Sequence, residues 1–172
     1  YEEDLATAQS SQGDAALQAS KIQSSSDVAA TQESLVQRLT PLLPDQDVTG
    51  LLELFDTQGF CVIPELLDAS QLERQREALA PWIDDGPMGR NVFEGTRTHR
   101  IYAMLAKDPV FAELVAHPVS LAWAEHYLGQ SCLLSACLAI HLQPGESAQP
   151  WHTDDGHTSL TPPHDLLGVS TF

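Results

Sequence analysis

The sequence predicts an α+β chain, helices first and strands last, and three features carry that expectation. Val48, Leu51, Leu52 and Phe55 recur at the i, i+3, i+4, i+7 spacing of one helix face. Residues 133–143, LLSACLAIHLQ, alternate with a period of two between a large apolar set and a smaller, more polar one. The turn signal PGES then leads into QPWHTDD, so the end of the chain reads as a hairpin.

Length and composition set the frame for these elements. At 172 residues the chain is long enough for one domain with a sizeable core and an appended tail. Eight Lys plus Arg against 24 Asp plus Glu leave a formal charge of −16, a surface that repels nucleic acid and anionic membranes. No apolar run approaches the roughly 20 residues of a membrane helix. Cys61, Cys132 and Cys137 are odd in number, lack CxxC spacing and sit in apolar runs. That pattern predicts buried free thiols in a reducing compartment, hence a cytoplasmic location. The chain opens at Tyr1 with no secretory signal, and its natural start is expected to lie upstream.

Taken in order, residues 1–26 are rich in Ser, Gln and Ala and predict a disordered tail. Val28, Leu35, Val36 and Leu39 form a weak helical stripe closed by Pro41 and Pro44, so residues 1–46 read as an acidic tail with a marginal helix. The compact domain is expected over residues 47–172. Asp47 is placed to cap the helix that begins at Val48, with Gly59 just past its end. FCVI (60–63) reads as a short buried strand stopped by Pro64. Asp68 and Gln71 fit a capping box opening a helix towards Trp82, and DDGPMGRN (84–91) is a loop. Asp108-Pro109 and Pro118 start two further helices, the second ending near Gly129.

The strand at 133–143 presents Leu134, Ala136, Leu138, Ile140 and Leu142 on one face, and Leu133, Ser135, Cys137, Ala139, His141 and Gln143 on the other. A barrel or jelly-roll wall has this character, with the apolar face packed outside against helices and the smaller one lining a cavity; a half-exposed edge strand has it too. His141 is then either a cavity-lining hydrogen-bond partner or a satisfied core histidine. On the expected partner strand, His152 and Asp154 are two residues apart and point the same way. An imidazole and a carboxylate so placed are half of a 2-His-1-carboxylate metal triad. The bare HxD pattern is expected by chance about 0.5 times in such a chain, so its weight comes from the strand, the preceding Trp151 and the following Gly-bearing loop. His157 and His164 in that loop read as solvated histidines, and Tyr102 as a core residue.

The segments FDTQGFCVIPELLDASQLERQREAL, RIYAMLAKDPVFAELVAHP, LAIHLQPGESAQPWHTDDG and LGVSTF, in this order, resemble the phytanoyl-CoA dioxygenase family over about residues 47–172. The resemblance implies a double-stranded β-helix of jelly-roll, cupin-like form behind N-terminal helices. It implies His152 and Asp154 as iron(II) ligands and 2-oxoglutarate as a co-substrate chelating the metal. Molecular oxygen would then hydroxylate an unactivated C–H bond of a small-molecule or acyl substrate. Halogenating relatives replace the carboxylate with a small residue, so Asp154 implies hydroxylation.

The family's second histidine and its basic 2-oxoglutarate anchor are expected beyond Phe172, because LLGVSTF reads as the next core strand. The chain is therefore expected to be the N-terminal part of a longer protein, cut part-way through the barrel and inactive alone. Arg97 and Arg100, near the co-substrate in the family, are weaker binding candidates, with surface salt bridges as their ordinary role; His141 and Gln143 are weaker candidates from the strand face. Two other functions fit the same residues. One is a zinc hydrolase using His152, Asp154 and His157 or His164; the other is a non-catalytic β-helix binding module.

Overall fold

The structure, a computed structural model, describes residues 25–83, 86–154, 156, 158–161 and 163–172. The expected disordered tail lies outside the described residues as far as position 24. The chain divides into two units, Tyr1–Ser34 and Leu35–Phe172. Helix α1, Ser25–Leu39, accounts for the described part of the first unit and its last turn opens the second.

Within the second unit, Leu35 and Leu39 at 1% and 0% exposure enter a core with Val48, Leu51 and Leu52 of helix α2 (Val48–Gln58). Each such buried side chain contributes roughly 1.5–3 kcal/mol. Asp47 caps α2 by accepting from the Gly50 amide at 3.1 Å, and Gly59 ends it at φ 81°, its amide donating to the Phe55 carbonyl. Helix α3 (Ala69–Ile83) opens on a reciprocal box: the Gln71 amide donates to Asp68 Oδ1 at 2.7 Å, and the Asp68 amide to Gln71 Oε1 at 2.8 Å. Asp108 starts a 3-10 turn, Pro109–Phe111, that runs into the short helix α4 (Ala112–Val115). Helix α5 (Pro118–Leu128) closes the first core with Val119, Ala122 and Trp123, and Phe55 meets the Trp123 ring edge-on at 5.6 Å. Burial, and the Asp56 carboxylate accepting from its hydroxyl at 2.6 Å, push the Tyr127 phenol well above its ordinary pKa.

A second core of Ile101, Met104 and Phe111 carries the sheet. Strand β1 (Thr98–Ile101) pairs antiparallel with β2 (Ala139–Leu142), with His99 opposite His141 and Ile101 opposite Ala139. On its other side β1 carries one isolated antiparallel bridge, Met88 opposite His99. Ala78, Leu79 and Ile83 of α3, with Cys137 and Ala139, pack against the same three buried residues.

The strand expectations need correction. FCVI (60–63) is not a strand: Phe60 and Val62 are 60% and 72% exposed, and only the alternate Cys61 and Ile63 pack against the first core. Among the described residues no backbone pairs with that segment. The hairpin between 133–143 and QPWHTDD is likewise absent. β2 covers only residues 139–142 and takes its hydrogen bonds from β1, continued by the Gln143 amide to the Arg97 carbonyl at 2.9 Å. Residues 149–153 run as irregular chain. The smaller face of β2 is indeed the inward one, but the apolar face is not covered by helices: Ile140 and Leu142 are 44% and 61% exposed. Among the described residues there is one two-stranded sheet and five α-helices, so no barrel is formed by them. The three cysteines are free and half-buried, and burial pushes the Cys61 and Cys137 thiols up. No described helix is long and apolar enough to cross a membrane.

Candidate metal centre

Two loops meet beside the sheet. The first, residues 86–97, is tied to itself: the Arg90 guanidinium grips the Glu94 carboxylate in a fork, and the Glu94 amide donates to Asn91 Oδ1 at 2.9 Å. Arg90's guanidinium and backbone amide together hold the Glu94 carboxyl down to about 2. The second loop, 143–152, is fastened onto the first by Glu146. Its carboxylate accepts from the Arg97 and Ser147 amides and from the Thr98 hydroxyl, which lowers its pKa, the Arg97 amide being the largest cause. The Arg97 guanidinium donates to the Pro144 carbonyl at 3.2 Å, and the Gln149 amide group to the Phe93 carbonyl at 2.6 Å.

This latch brings His152 against Phe93, ring edge to ring face, with centroids 4.9 Å apart. His152 Nδ1 donates to the Pro150 carbonyl at 2.8 Å. A carbonyl can only accept, so in the neutral imidazole the proton sits on Nδ1 and Nε2 carries the lone pair. Nε2 in turn lies 3.4 Å from Asp154 Oδ1. Two donors bonded to one metal at about 2.1 Å stand roughly 3.0 Å apart at a right angle and a little further at wider angles. The pair therefore fits a metal ion as neighbouring nitrogen and oxygen ligands, of the kind an imidazole–carboxylate iron site uses. It is open, the His152 and Asp154 side chains being 37% and 83% exposed.

The other candidates are dispersed around this pair. Arg100 Nε donates to the Glu94 carbonyl at 2.7 Å, so like Arg97 it braces the loops through backbone oxygen. His141 is half-buried, its Nδ1 3.4 Å from the Gln143 amide nitrogen and its ring stacked on His99. Tyr102 is not a core residue: it is 45% exposed and, with Pro87, Met88, Arg90 and Glu94, lines a depression of about 420 Å³. His164 Nδ1 turns to the Asp165 carbonyl, and His157 lies outside the described residues. Among the described residues no group of three His, Cys, Asp or Glu stands together to enclose a metal.

Sequence reasoning missed His99, Phe93 and Glu146. THRI, with a β-branched residue at each end, carried a strand signal at 98–101, and recognising it would have placed His99 opposite His141. Nothing local marked Phe93 or Glu146, whose roles depend on a meeting of segments about 50 residues apart. A family model described as Phytanoyl-CoA dioxygenase (PhyH) matches residues 55–172. No solved structure matches the chain.

Proposed function

The chain belongs to the phytanoyl-CoA dioxygenase family, whose fold is a jelly roll of the cupin kind and whose members are iron(II)- and 2-oxoglutarate-type dioxygenases, and we propose that it hydroxylates a small-molecule or acyl substrate through an iron site built on His152 and Asp154. The observation that carries this reading is the 3.4 Å approach of His152 Nε2 to Asp154 Oδ1, with the imidazole proton committed to the Pro150 carbonyl.

Iron held by His152 and Asp154 would supply, with 2-oxoglutarate and oxygen, the oxidising power for hydroxylation, one oxygen atom going to the substrate and the other to succinate with release of carbon dioxide. The chain's own residues orient and shield. Pro150 fixes the His152 tautomer, Phe93 packs on its ring and keeps water from one side, and Glu146 holds the two loops together. Of Arg97, which ends the first loop, and Arg100, on β1, we assign one to an acid group of the co-substrate or substrate. Residues 47–172 form the oxygenase portion, and residues 1–46 stand outside it. β1 and β2 begin the barrel wall, with Ala139 and His141 facing in and the bare Ile140 and Leu142 awaiting cover from other parts of the fold. This reading assigns no third protein ligand among the described residues, and its test uses the natural protein.

That protein, anaerobic, is mixed with iron(II) and 2-oxoglutarate. A weak visible charge-transfer band forms only with both present, and it is lost in His152→Ala and in Asp154→Ala. A band that survives either substitution removes the assignment.

A further inference from the structure

The depression beside the first loop has no part in the iron reading. Pro87, Met88, Arg90, Glu94 and Tyr102 line about 420 Å³, within the range of small-molecule sites. Met88 and Tyr102 are 46% and 45% exposed, so a thioether and a phenol ring are left partly bare there. Both groups favour contact with another aromatic ring.

The charge next to these apolar groups is fixed and one-sided. Arg90 turns a single edge of its guanidinium to Glu94: Nε donates to Oε1 at 3.0 Å and to Oε2 at 2.9 Å, and Nη2 donates to Oε1. Nη1 makes no hydrogen bond among the described residues. The opposite edge, Nη1 with the second N–H of Nη2, therefore keeps the forked geometry that a carboxylate accepts from. The two partners are also unequally placed, the Arg90 side chain being 79% exposed and that of Glu94 13%. An incoming ligand meets the cation and not the anion. The Arg90 backbone amide donates to the same carboxylate at 2.8 Å, so the residue is already ordered and loses little freedom on binding. On a chain of formal charge −16, this outward guanidinium is what selects an anion here.

We propose that the depression binds a small aromatic carboxylate, its ring against Met88 and Tyr102 and its acid group on the free edge of Arg90. A neutral analogue forgoes the charge-assisted pair of hydrogen bonds, and an aliphatic anion without a body forgoes the ring contacts. The site uses neither His152 nor Asp154, so it does not depend on the iron reading.

The test is a titration of the natural protein, stripped of metal, with sodium phenylacetate at neutral pH, followed by NMR. Phenylacetamide is the uncharged comparison, and Arg90→Gln, Tyr102→Ala and the double variant His152→Ala/Asp154→Ala are titrated alongside the parent. Saturable one-to-one shifts are expected at the Arg90 amide, the Met88 methyl and the Tyr102 ring. Binding should be weaker by about tenfold or more for phenylacetamide, and for phenylacetate in Arg90→Gln, the worth of a hydrogen bond to a charged group. Tyr102→Ala should weaken it about two- to tenfold, and the double variant should leave it unchanged. If Arg90→Gln loosens its loop, visible in the amide spectrum, the acid and amide compared in the parent still decide. An amide that binds as tightly as the acid overturns the site. So does an unchanged affinity in a folded Arg90→Gln, a set of shifts centred on Arg97 or Arg100, a loss of binding in the double variant, or no saturable shift at all.

Discussion

Gly95 and Gly129 have nearly the same backbone angle, φ 89° and 87°, in very different surroundings. A Cβ on Gly129 meets nothing within 4 Å. A Cβ on Gly95 would stand 2.4 Å from Thr98 Oγ1, 2.7 Å from Glu146 Oε2 and 2.9 Å from Thr98 Cβ. Either Gly→Ala change incurs positive-φ backbone strain of about 1–3 kcal/mol, Gly129 lying at ψ 160° in a region nearly confined to glycine. Only Gly95→Ala adds overpacking against Thr98, which is 2% exposed and cannot swing away, and that adds about 1–3 kcal/mol. It also pushes on the carboxylate that latches the two loops. The expected costs are therefore about 1–3 kcal/mol for Gly129→Ala and about 2–6 kcal/mol for Gly95→Ala. Urea unfolding of the two variants, followed by tryptophan fluorescence and circular dichroism, gives the comparison directly. Equal losses at the two positions would mean that the loops are not held as described.

Three further outcomes follow from the same geometry. Phe111→Ala, at a residue 1% exposed beneath Ile101 and Met104, should cost about 3–5 kcal/mol in urea unfolding; a loss under 1 kcal/mol would mean the second core is not closed there. Phe93→Ala removes an edge contact worth about 0.5–1.5 kcal/mol from the His152 ring, so iron(II) affinity of the full-length protein should fall roughly two- to tenfold in a competition titration. An unchanged affinity would show that the ring does not position the ligand. The Glu94 carboxyl is held below its ordinary 4.5, at about 2, so the Arg90–Glu94 tie favours the fold fully above pH 4.5 and is lost as pH falls towards 2. The Arg90 amide, which donates to that carboxylate, should therefore titrate by NMR with a midpoint near 2; a midpoint near 4.5 would contradict the tie.

The helices were legible because their signals are local. Asp47, Gly59, the Asp68–Gln71 box and the prolines at 109 and 118 mark helix ends through contacts three or four residues away, and the structure realises each. Strand pairing is not local. The alternation of 133–143 identified the inward face of β2, but its partner proved to be β1, about 40 residues upstream, instead of the segment after the next turn. A turn signal says that the chain reverses, not that the returning segment finds its ladder. For the site, His152 and Asp154 do stand 3.4 Å apart, but on irregular chain running into a turn at Asp154, not on the strand from which their spacing was read. Phe93, Gln149 and Glu146, which set where that pair sits, work between distant segments and left no local pattern to read.

The most direct test of the central claim is the anaerobic visible spectrum of the natural full-length protein with iron(II) and 2-oxoglutarate, alone and together. His152→Ala and Asp154→Ala are measured alongside it. The account predicts a band that needs both components and is lost in each variant. A band unaltered in either variant, or none at all in a folded full-length protein, would contradict it.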